Sequence, residues 1–360
     1  MLYHALQTDL ATLPSLIDYP GKPLLLFSLT GDQKNLHSFK TTPTPIPMHR
    51  LNRLFKPLTT HSTKRLFSTS RFTMGDNIKR NPHPDFKGVE ASRPEFDNTS
   101  EFHYTKTVDA FWAFGAGANK LGKDDADKKH VTINPHEEGR PAGFNYKFLI
   151  SAIVPRPIAF VSSQAPDGTH KNLAPFSYFN MMNHDPPMFV VGFSSSLAAA
   201  KDSLRNVADS GECVINIISE HFIEAANSCS VNAPYGVSEW DISGLTPSYD
   251  CETVKCARVR EAIVSIECKL DMIKEFDSKA RPGNKSGVMA VFEGTRFWVR
   301  EDALNEEKNL VDPAVLRPVS RLGGITYGRV TEAFELTRTD YEKDVGGEAG
   351  VEKIQKDQKN

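Results

Sequence analysis

The chain has 360 residues, of which 24% are charged, and its 43 Lys and Arg against 45 Asp and Glu leave a formal net charge of −2. This length allows one large domain or two ordinary ones, and the near-neutral balance provides no basic field that would favour nucleic acid. The mean hydropathy is −0.39, and no apolar run approaches the ~20 residues of a membrane span, so no membrane span is expected.

The five cysteines do not indicate a metal site. They are odd in number, and no CxxC pair with nearby histidines supplies the four closely spaced ligands of a structural zinc site. The sequence therefore predicts no metal, and reduced, partly buried thiols in a protein that is not secreted. The cysteines are Cys213, Cys229, Cys251, Cys256 and Cys268.

Residues 1–74 have the composition of a targeting segment. The stretch 33–75 has no acidic residue but eight Lys and Arg among many Ser and Thr, which is typical of a mitochondrial presequence. Its end, RLFSTSRFTM, is similar to the two-step mitochondrial cleavage motif. Residues 1–32 fit less well because they contain three Asp. Met48 and Met74 are alternative starts, of which Met74 gives a cytoplasmic protein, and a disordered basic extension is the other interpretation.

Residues 75–144 are rich in Pro, Gly, Lys and Asp and show no sustained periodicity. We expect them to form an irregular arm that wraps the core. From residue 145 the pattern changes to short apolar runs that are separated by turn residues. Residues 339–360 are rich in Lys, Gly and Glu, which predicts a disordered tail. The folded domain is therefore expected at 145–338.

The domain opens with a predicted helix at 145–153, followed by a strand at 157–163. An Asp-Gly hairpin turn then leads to a returning strand at 171–177. Many strands, tight turns and few helices predict an antiparallel barrel that is mainly β with flanking helices, not a series of βαβ units. The later predicted elements are a strand at 188–193, a helix at 196–210 ended by Gly211, a strand at 213–219, a helix at 220–230, long strands at 262–276 and 287–301, and a strand within 320–338.

Lys201, Asp202 and Ser203 occur near the start of the helix that Gly211 ends. The first-turn amides of a helix are unpaired, and with the helix dipole they favour an anion. A lysine and a hydroxyl at that position fit a phosphate group. Ordinary helix capping by Asp or Ser is the alternative.

The returning strand KNLAPFS carries polar side chains and a proline among predicted core strands. Proline leaves backbone groups free from strand pairing, and these suit the polar edge of a flat heterocycle. A phosphate at one end and a planar ring along a strand edge together describe flavin mononucleotide (FMN). For the aromatic residues of this stretch, packing in the core or at an interface is the alternative. For the two serines that end the neighbouring strand, the alternative is an ordinary position at the end of a hairpin. The proposed ring contacts are Ser162, Ser163, Asn172, Ala174, Pro175, Ser177 and the flanking Phe176, Tyr178 and Phe179.

At family level, the chain resembles the flavin reductase-like, FMN-binding split-barrel proteins. The motifs VPRPIAFVSSQAPDGTHKNLAPFSYFN, DPPMFVVGF, AKDSLRN, GECVINIIS and PVSRLGGITYG carry this resemblance by their order and spacing over residues 145–336. The resemblance implies a Greek-key antiparallel split barrel that forms a homodimer, with one FMN per subunit near the dimer interface.

The resemblance also assigns residues by position. It implies that Lys201 and Ser203 meet the phosphate, although many relatives have Thr at position 203. The residues implied to line the flavin are Ser162, Ser163, Asn172, Ala174, Pro175 and Ser177. Arg156 is a further candidate, with pairing to an acidic residue as the alternative. His184 stands where many relatives have a small residue and is a weak catalytic candidate, with a surface turn as the alternative. The residues implied to close the pocket are Arg321, Gly323, Gly324 and Tyr327.

Three functions fit these expectations. The first is an oxidoreductase in which NAD(P)H reduces FMN. Because the sequence has no dinucleotide fingerprint, the nicotinamide nucleotide would bind transiently over the flavin. The second is a flavin-dependent oxygenase or electron carrier with another donor. The third is a non-catalytic FMN-binding protein, for which the long arm could dock a partner.

Overall fold

The computed structural model describes residues 85–125 and 127–359. The predicted presequence, residues 1–74, lies outside the described residues. Among those described, no helix is long and apolar enough to cross a membrane. The α-helices in chain order are α1 Phe86–Ala91, α2 Ala142–Ala152, α3 Asp202–Ser210, α4 Ile223–Ser228, α5 Glu239–Ser243, α6 Pro313–Leu316 and α7 Gly347–Asp357.

The strands are mostly short, apart from two long neighbours in the second half of the domain. They are β1 His103–Thr105, β2 Ala159–Ser163, β3 Asn172–Phe176, β4 Phe179–His184, β5 Pro187–Phe193, β6 Glu212–Ile217, β7 Pro247–Ser248, β8 Arg258–Val259, β9 Val264–Asp277, β10 Lys285–Val299, β11 Val319–Arg321, β12 Tyr327–Arg329 and β13 Glu332–Phe334. Short 3₁₀ helices occur at Lys120–Asp125, Leu197–Ala199, Glu220–Phe222 and Glu301–Ala303, and a π-helical turn at Tyr341–Val345.

One antiparallel sheet forms the centre of the domain, in the order β3-β2-β6-β9-β10-β5-β4. The strands β3 and β4 are its two edges, so the curved sheet stays open along one seam. Bulges between β9 and β10 bend this long hairpin. Gly294 lies at one bulge, where a Cβ atom would come within 2.9 Å of the Phe189 ring. The prediction of a mainly β, antiparallel split barrel is confirmed.

Both faces of the sheet are covered around β2, which is buried at every residue. Ala159 and Val161 face the interior of the curved sheet, together with α3 and the apolar residues of β5 and β10. Phe160 faces the other side and packs in a second core with Phe222 and Trp240. Successive side chains of a strand point to opposite faces, so one continuous apolar strand supplies both cores.

Several predicted boundaries differ from the structure. The helix predicted to begin at residue 196 is a 3₁₀ turn followed by extended backbone at Ala200 and Lys201, and α3 begins at Asp202. It ends as predicted at Gly211, whose φ of 72° is the left-handed conformation that glycine adopts without strain. The strand β4 was not predicted, because its exposed polar residues and its bulge between Met181 and Asn183 break the apolar pattern.

The tail predicted to be disordered, residues 339–360, instead contains α7. Val351 and Ile354 lie three residues apart on one helical face and are half-buried. Ile354 packs so closely on Gly115 that a Cβ atom at that glycine would lie 2.6 Å from its side chain. Gln358 also donates a hydrogen bond to the Gly115 carbonyl, at 3.1 Å. Tertiary contact with the arm thus holds a helix that composition alone disfavours.

The predicted arm is mostly irregular but has fixed contacts with the domain. Its strand β1 pairs in parallel with β13, in a register that places His103 opposite Glu332. Arg329 donates to the carbonyl oxygen of Asp97 at 3.1 Å. These contacts connect the arm to the C-terminal strands.

Candidate functional site

A pocket of 400 Å³ opens beside the edge strand β3. Its other walls are formed by the N-terminal end of α3 (residues 201–204, the head of α3), the loop after α4, helix α2 and the end of β11. Of the residues predicted from the sequence, the pocket lining includes Asn172, Ala174, Pro175, Phe176, Ser177, Lys201, Ser203, Arg321 and Gly324.

The outer edge of β3 adjoins this pocket at Pro175. The Leu173 amide donates to Glu239 at 3.3 Å, so it points away from β2. Backbone groups alternate along a strand, so the residue two positions on, Pro175, has the same outward orientation and lacks an N–H. The Pro175 carbonyl on this edge therefore offers an oxygen acceptor to an N–H group of a planar ligand.

The head of α3 is suited to an anion. Lys201 is the N-cap residue and makes no side-chain cap, so its side chain leaves the first-turn amides free. Its ammonium group donates to the Asn232 side-chain oxygen at 3.0 Å. Asp202 also lines this end, so a bound anion depends on Lys201 and the helix amides to outweigh that carboxylate.

Three buried side chains form a hydrogen-bonded chain on the pocket floor. The Ser203 hydroxyl donates to Asn172 Oδ1, and Asn172 Nδ2 donates to Glu239 Oε2 at 2.6 Å. Burial raises the pKa of Glu239, although its hydrogen bonds to the backbone and to Asn172 oppose the shift. Glu239 was not predicted from the sequence, because it lies 67 residues from Asn172 and no local signal connects them.

Aromatic side chains form the wall beyond Pro175. The Phe176 ring packs on Phe193 with 4.8 Å between centroids, so it serves the core as well as the pocket. Tyr178 is 42% exposed, and burial of its hydroxyl raises its pKa. Gly192 lies directly beneath it, because a Cβ atom there would be 2.9 Å from Tyr178 Cβ.

Two arginines line the end of the pocket near Tyr178. Arg156 is only 8% exposed, and its guanidinium donates to the carbonyl oxygens of Ile150, Ile153 and Leu322. The alternative that Arg156 pairs with an acidic residue does not hold in the structure. Arg321 donates to the Gly324 carbonyl at 2.8 Å.

Several predicted residues lie outside the pocket lining. Ser162 is buried and donates to the Ala257 carbonyl, while Ser163 accepts from Asn206 at 3.3 Å. Tyr327 donates its hydroxyl to Asn227 at 2.8 Å, and its ring supports Arg321 at 4.4 Å. Three further residues lie outside the lining. Phe179 stacks on Phe189 with 6.3 Å between ring centroids, Gly323 packs against α2, and His184 is exposed at the end of β4.

The lining also includes residues that the sequence analysis missed. Tyr146 and Ile150 come from α2, and Ser194 and Ser195 from the serine run after β5. The serine run beside Lys201 was a usable signal for an anion site. Cys229 lies on the floor, and burial raises its pKa to about 11, so this thiol stays protonated and is not a nucleophile.

The arrangement fits a flavin nucleotide. Residues 172 and 177 are about 17 Å apart along an extended strand. The N-terminus of α3 adjoins residue 172, and the aromatic wall and the two arginines adjoin residue 177. Within the described part of the chain, no group of three His, Cys, Asp or Glu is arranged to hold a metal ion.

The chain is similar in sequence to a known family and to several known proteins. Residues 151–316 match the family described as flavin reductase like domain. An uncharacterized protein of Halalkalibacterium halodurans is 32% identical over 209 residues, which cover 58% of this chain and 96% of the relative. An uncharacterized protein of Aquifex aeolicus is 36% identical over 185 residues, which cover 51% and 88%.

Two solved structures are similar in both sequence and fold. Nitrilotriacetate monooxygenase component B of Bacillus cereus is 32% identical with a TM-score of 0.53, over 58% of this chain and 99% of its own. The 2-nitrobenzoate 2-nitroreductase of Pseudomonas fluorescens is 30% identical with a TM-score of 0.50, over 59% and 98%. The chain therefore belongs to the flavin reductase like domain family.

Proposed function

We propose that the protein is an oxidoreductase in which NAD(P)H reduces FMN bound in the pocket beside β3. This proposal rests on two features that line one pocket. The N-terminus of α3 has no side-chain cap, with Lys201 free of carboxylate hydrogen bonds, and Pro175 lies on the outer edge of β3. The overall reaction converts NAD(P)H, one proton and FMN into NAD(P)⁺ and reduced FMN. A bound flavin supplies the hydride-accepting chemistry.

The chain's own residues have three tasks in this proposal. Lys201 and the first-turn amides of α3 hold the phosphate. The carbonyl of Pro175 orients the ring by accepting a hydrogen bond from its polar edge. The chain from Ser203 through Asn172 to Glu239 fixes the relative position of α3 and β3, since it joins the two elements through buried groups.

The nicotinamide nucleotide needs access to the ring, and the pocket is open on one side. Tyr146 and Tyr178, which line it, are 55% and 42% exposed. We expect the donor to enter there.

The test is the visible absorption spectrum of the purified full-length protein, loaded with FMN and desalted, before and after anaerobic NADH or NADPH. Flavin bands that remain after desalting and bleach faster than free FMN at equal concentration support the proposal. Bleaching no faster than free FMN refutes the reductase activity. The variant Lys201→Met should retain less flavin, and Lys274→Met, an exposed lysine outside the pocket, is the matched control.

A second candidate is a flavoprotein that retains its flavin and passes electrons to another small molecule. The relative from Pseudomonas fluorescens is named for the reduction of 2-nitrobenzoate, and this favours an organic acceptor as the alternative to free flavin. Retention of flavin through gel filtration, with reoxidation by a nitroaromatic compound and not by added FMN, would support this candidate.

We also propose a homodimer that packs through α2. The helix exposes Phe144, Phe148, Leu149 and Ile153, each by about half of its surface, and apolar patches of this kind mark interfaces. Because α2 also lines the pocket, a second copy packed on it would cover part of the mouth.

A further inference from the structure

Arg156 and Arg321 lie side by side at the end of the pocket away from Lys201. Their backbones form an antiparallel bridge, with Arg156 N donating to Arg321 O at 3.1 Å and Arg321 N donating to Arg156 O at 2.9 Å. Residues directly opposite in an antiparallel bridge project to the same face. Both side chains accordingly line the same pocket.

The two positive charges have only backbone carbonyls as hydrogen-bond partners. Arg156 uses three of its five N–H donors on carbonyl oxygens, and Arg321 uses one. Among the described residues, Arg156 Nε and Arg321 Nη1 are buried and have no hydrogen-bond partner. Carbonyl dipoles orient a guanidinium but do not neutralise it, so this end of the pocket carries uncompensated positive charge.

Other arginines of the domain with limited exposure are neutralised differently. Arg258 contacts Asp250 at 2.6 Å, and both Arg317 and Arg329 contact Glu220, at 2.6 and 2.8 Å. These pairs account for their guanidinium groups without a ligand. No carboxylate in the described part of the chain forms such a contact with Arg156 or Arg321.

The arginine pair is too far from Lys201 to share one phosphate with it. Lys201 adjoins Ser203, which bonds to Asn172 at the start of β3, whereas Arg156 adjoins Tyr178 beyond the end of β3. The intervening strand spans about 17 Å. The half-exposed Tyr146 and Tyr178 stand at this same end, so a molecule that enters there reaches the arginines first.

We propose that Arg156 and Arg321 form an oxyanion site that binds a carboxylate or phosphate ester on the molecule that exchanges electrons with the flavin. The guanidinium fork is suited to both groups, because each presents two oxygens in a plane. The inference rests on the proposed function for the identity of its occupant. The site itself rests on the two uncompensated charges.

The experiment titrates the flavin-loaded full-length protein with benzoate, phenyl phosphate and neutral benzamide, and follows the flavin absorbance. The same three compounds are added to flavin-free protein, in which the shift of the thermal unfolding midpoint reports binding. The variants are Arg321→Met, Arg321→Lys and, as the matched control, Arg260→Met, an exposed arginine outside the pocket. Arg156 is left intact because it holds the end of α2.

We expect the wild-type protein to bind at least one of the two anions at least tenfold more tightly than benzamide. Arg321→Met should reduce this anion affinity at least tenfold more than it reduces FMN affinity, and Arg321→Lys should lose less than Arg321→Met. Equal affinity for the anions and benzamide in the wild-type protein would overturn the proposal. So would an Arg321→Met variant that loses FMN and anion affinity by the same factor, because the pair would then serve the flavin. The wild-type comparison decides the matter even where Arg321→Met does not fold.

The arms of the experiment separate the possible occupants. Tighter binding of phenyl phosphate identifies a phosphate ester such as the nicotinamide nucleotide, and tighter binding of benzoate identifies an organic acid as the acceptor. Selective stabilisation of flavin-free protein by an anion supports the oxyanion site where the Lys201→Met variant retains it, and counts against that site where Lys201→Met abolishes it. If it is retained and the wild-type protein binds no FMN, the oxyanion site is supported and the proposed function is refuted. FMN reduction without anion selectivity would support the proposed function and refute the oxyanion site.

Discussion

Replacement of Lys201 by Met tests the position of the flavin phosphate. The Lys201 ammonium has one hydrogen-bond partner in the described structure, Asn232 at 3.0 Å, so its removal unpairs no buried charge and leaves the fold intact. A hydrogen bond between charged groups contributes about 1.5–3 kcal/mol. Because Lys201 is exposed to solvent, we expect the lower end of this range. That corresponds to roughly tenfold weaker FMN binding.

Riboflavin supplies an internal control for this prediction, since it has the same ring without a phosphate. Quenching of flavin fluorescence gives the dissociation constants of both compounds for wild type, Lys201→Met and the control Lys274→Met. We expect Lys201→Met to weaken the binding of FMN and to leave the binding of riboflavin unchanged. The difference in FMN affinity between wild type and variant should shrink as the salt concentration is raised. Equal losses for both flavins would refute the phosphate position, as would an unchanged affinity for FMN.

Three further predictions concern buried carboxylates and assembly. Glu239→Gln keeps an acceptor oxygen for Asn172. Because burial raises the pKa of Glu239, the free energy of unfolding of the wild-type protein should fall as the pH rises above 4.5. Urea titrations at pH 5 and pH 8 should show that the variant loses this pH dependence. Burial alone would raise the pKa of Glu267, but hydrogen bonds from Thr253, Trp298 and backbone amides lower it to about 2. The stabilisation that the Glu267 carboxylate provides is therefore complete above pH 4.5 and is lost as the pH falls towards 2. Urea unfolding at pH 7 should show that Glu267→Gln is less stable than the wild type by about 3 kcal/mol. Phe148→Glu should shift the proposed dimer to monomer in sedimentation velocity, and an unchanged mass would contradict the α2 interface.

The parts of the fold that the sequence predicted are those with local signals. The Asp-Gly turn after β2 and the left-handed Gly211 after α3 depend on a few adjacent residues. By contrast, β4 has polar, exposed side chains and is a strand because it pairs with β5. Helix α7 likewise depends on a contact between Ile354 and Gly115, and such distant contacts are invisible to composition.

The residues of the candidate site likewise separate into those with a local sequence signal and those placed by distant contacts. The side of the pocket formed by β3 and α3 could be predicted, because each element carries its polar residues within one short motif. Glu239 and the loop after α4 could not, since they reach the pocket only through the packing of α5 on β3. Ser162 and Ser163 were predicted as ligands from their position at a strand end, yet both satisfy their hydroxyls within the protein.

Ser203, which was expected to contact the phosphate, has a different hydrogen-bond partner in the structure. A hydroxyl has one hydrogen to donate, and in this structure it goes to Asn172. A phosphate is mainly an acceptor, so Ser203 can serve Asn172 or the phosphate but not both at once. In the proposed function, Lys201 and the amides of α3 then hold the phosphate, while Ser203 keeps Asn172 aligned with Glu239. A hydroxyl at position 203 is therefore needed for the shape of the floor, and either Ser or Thr would provide it.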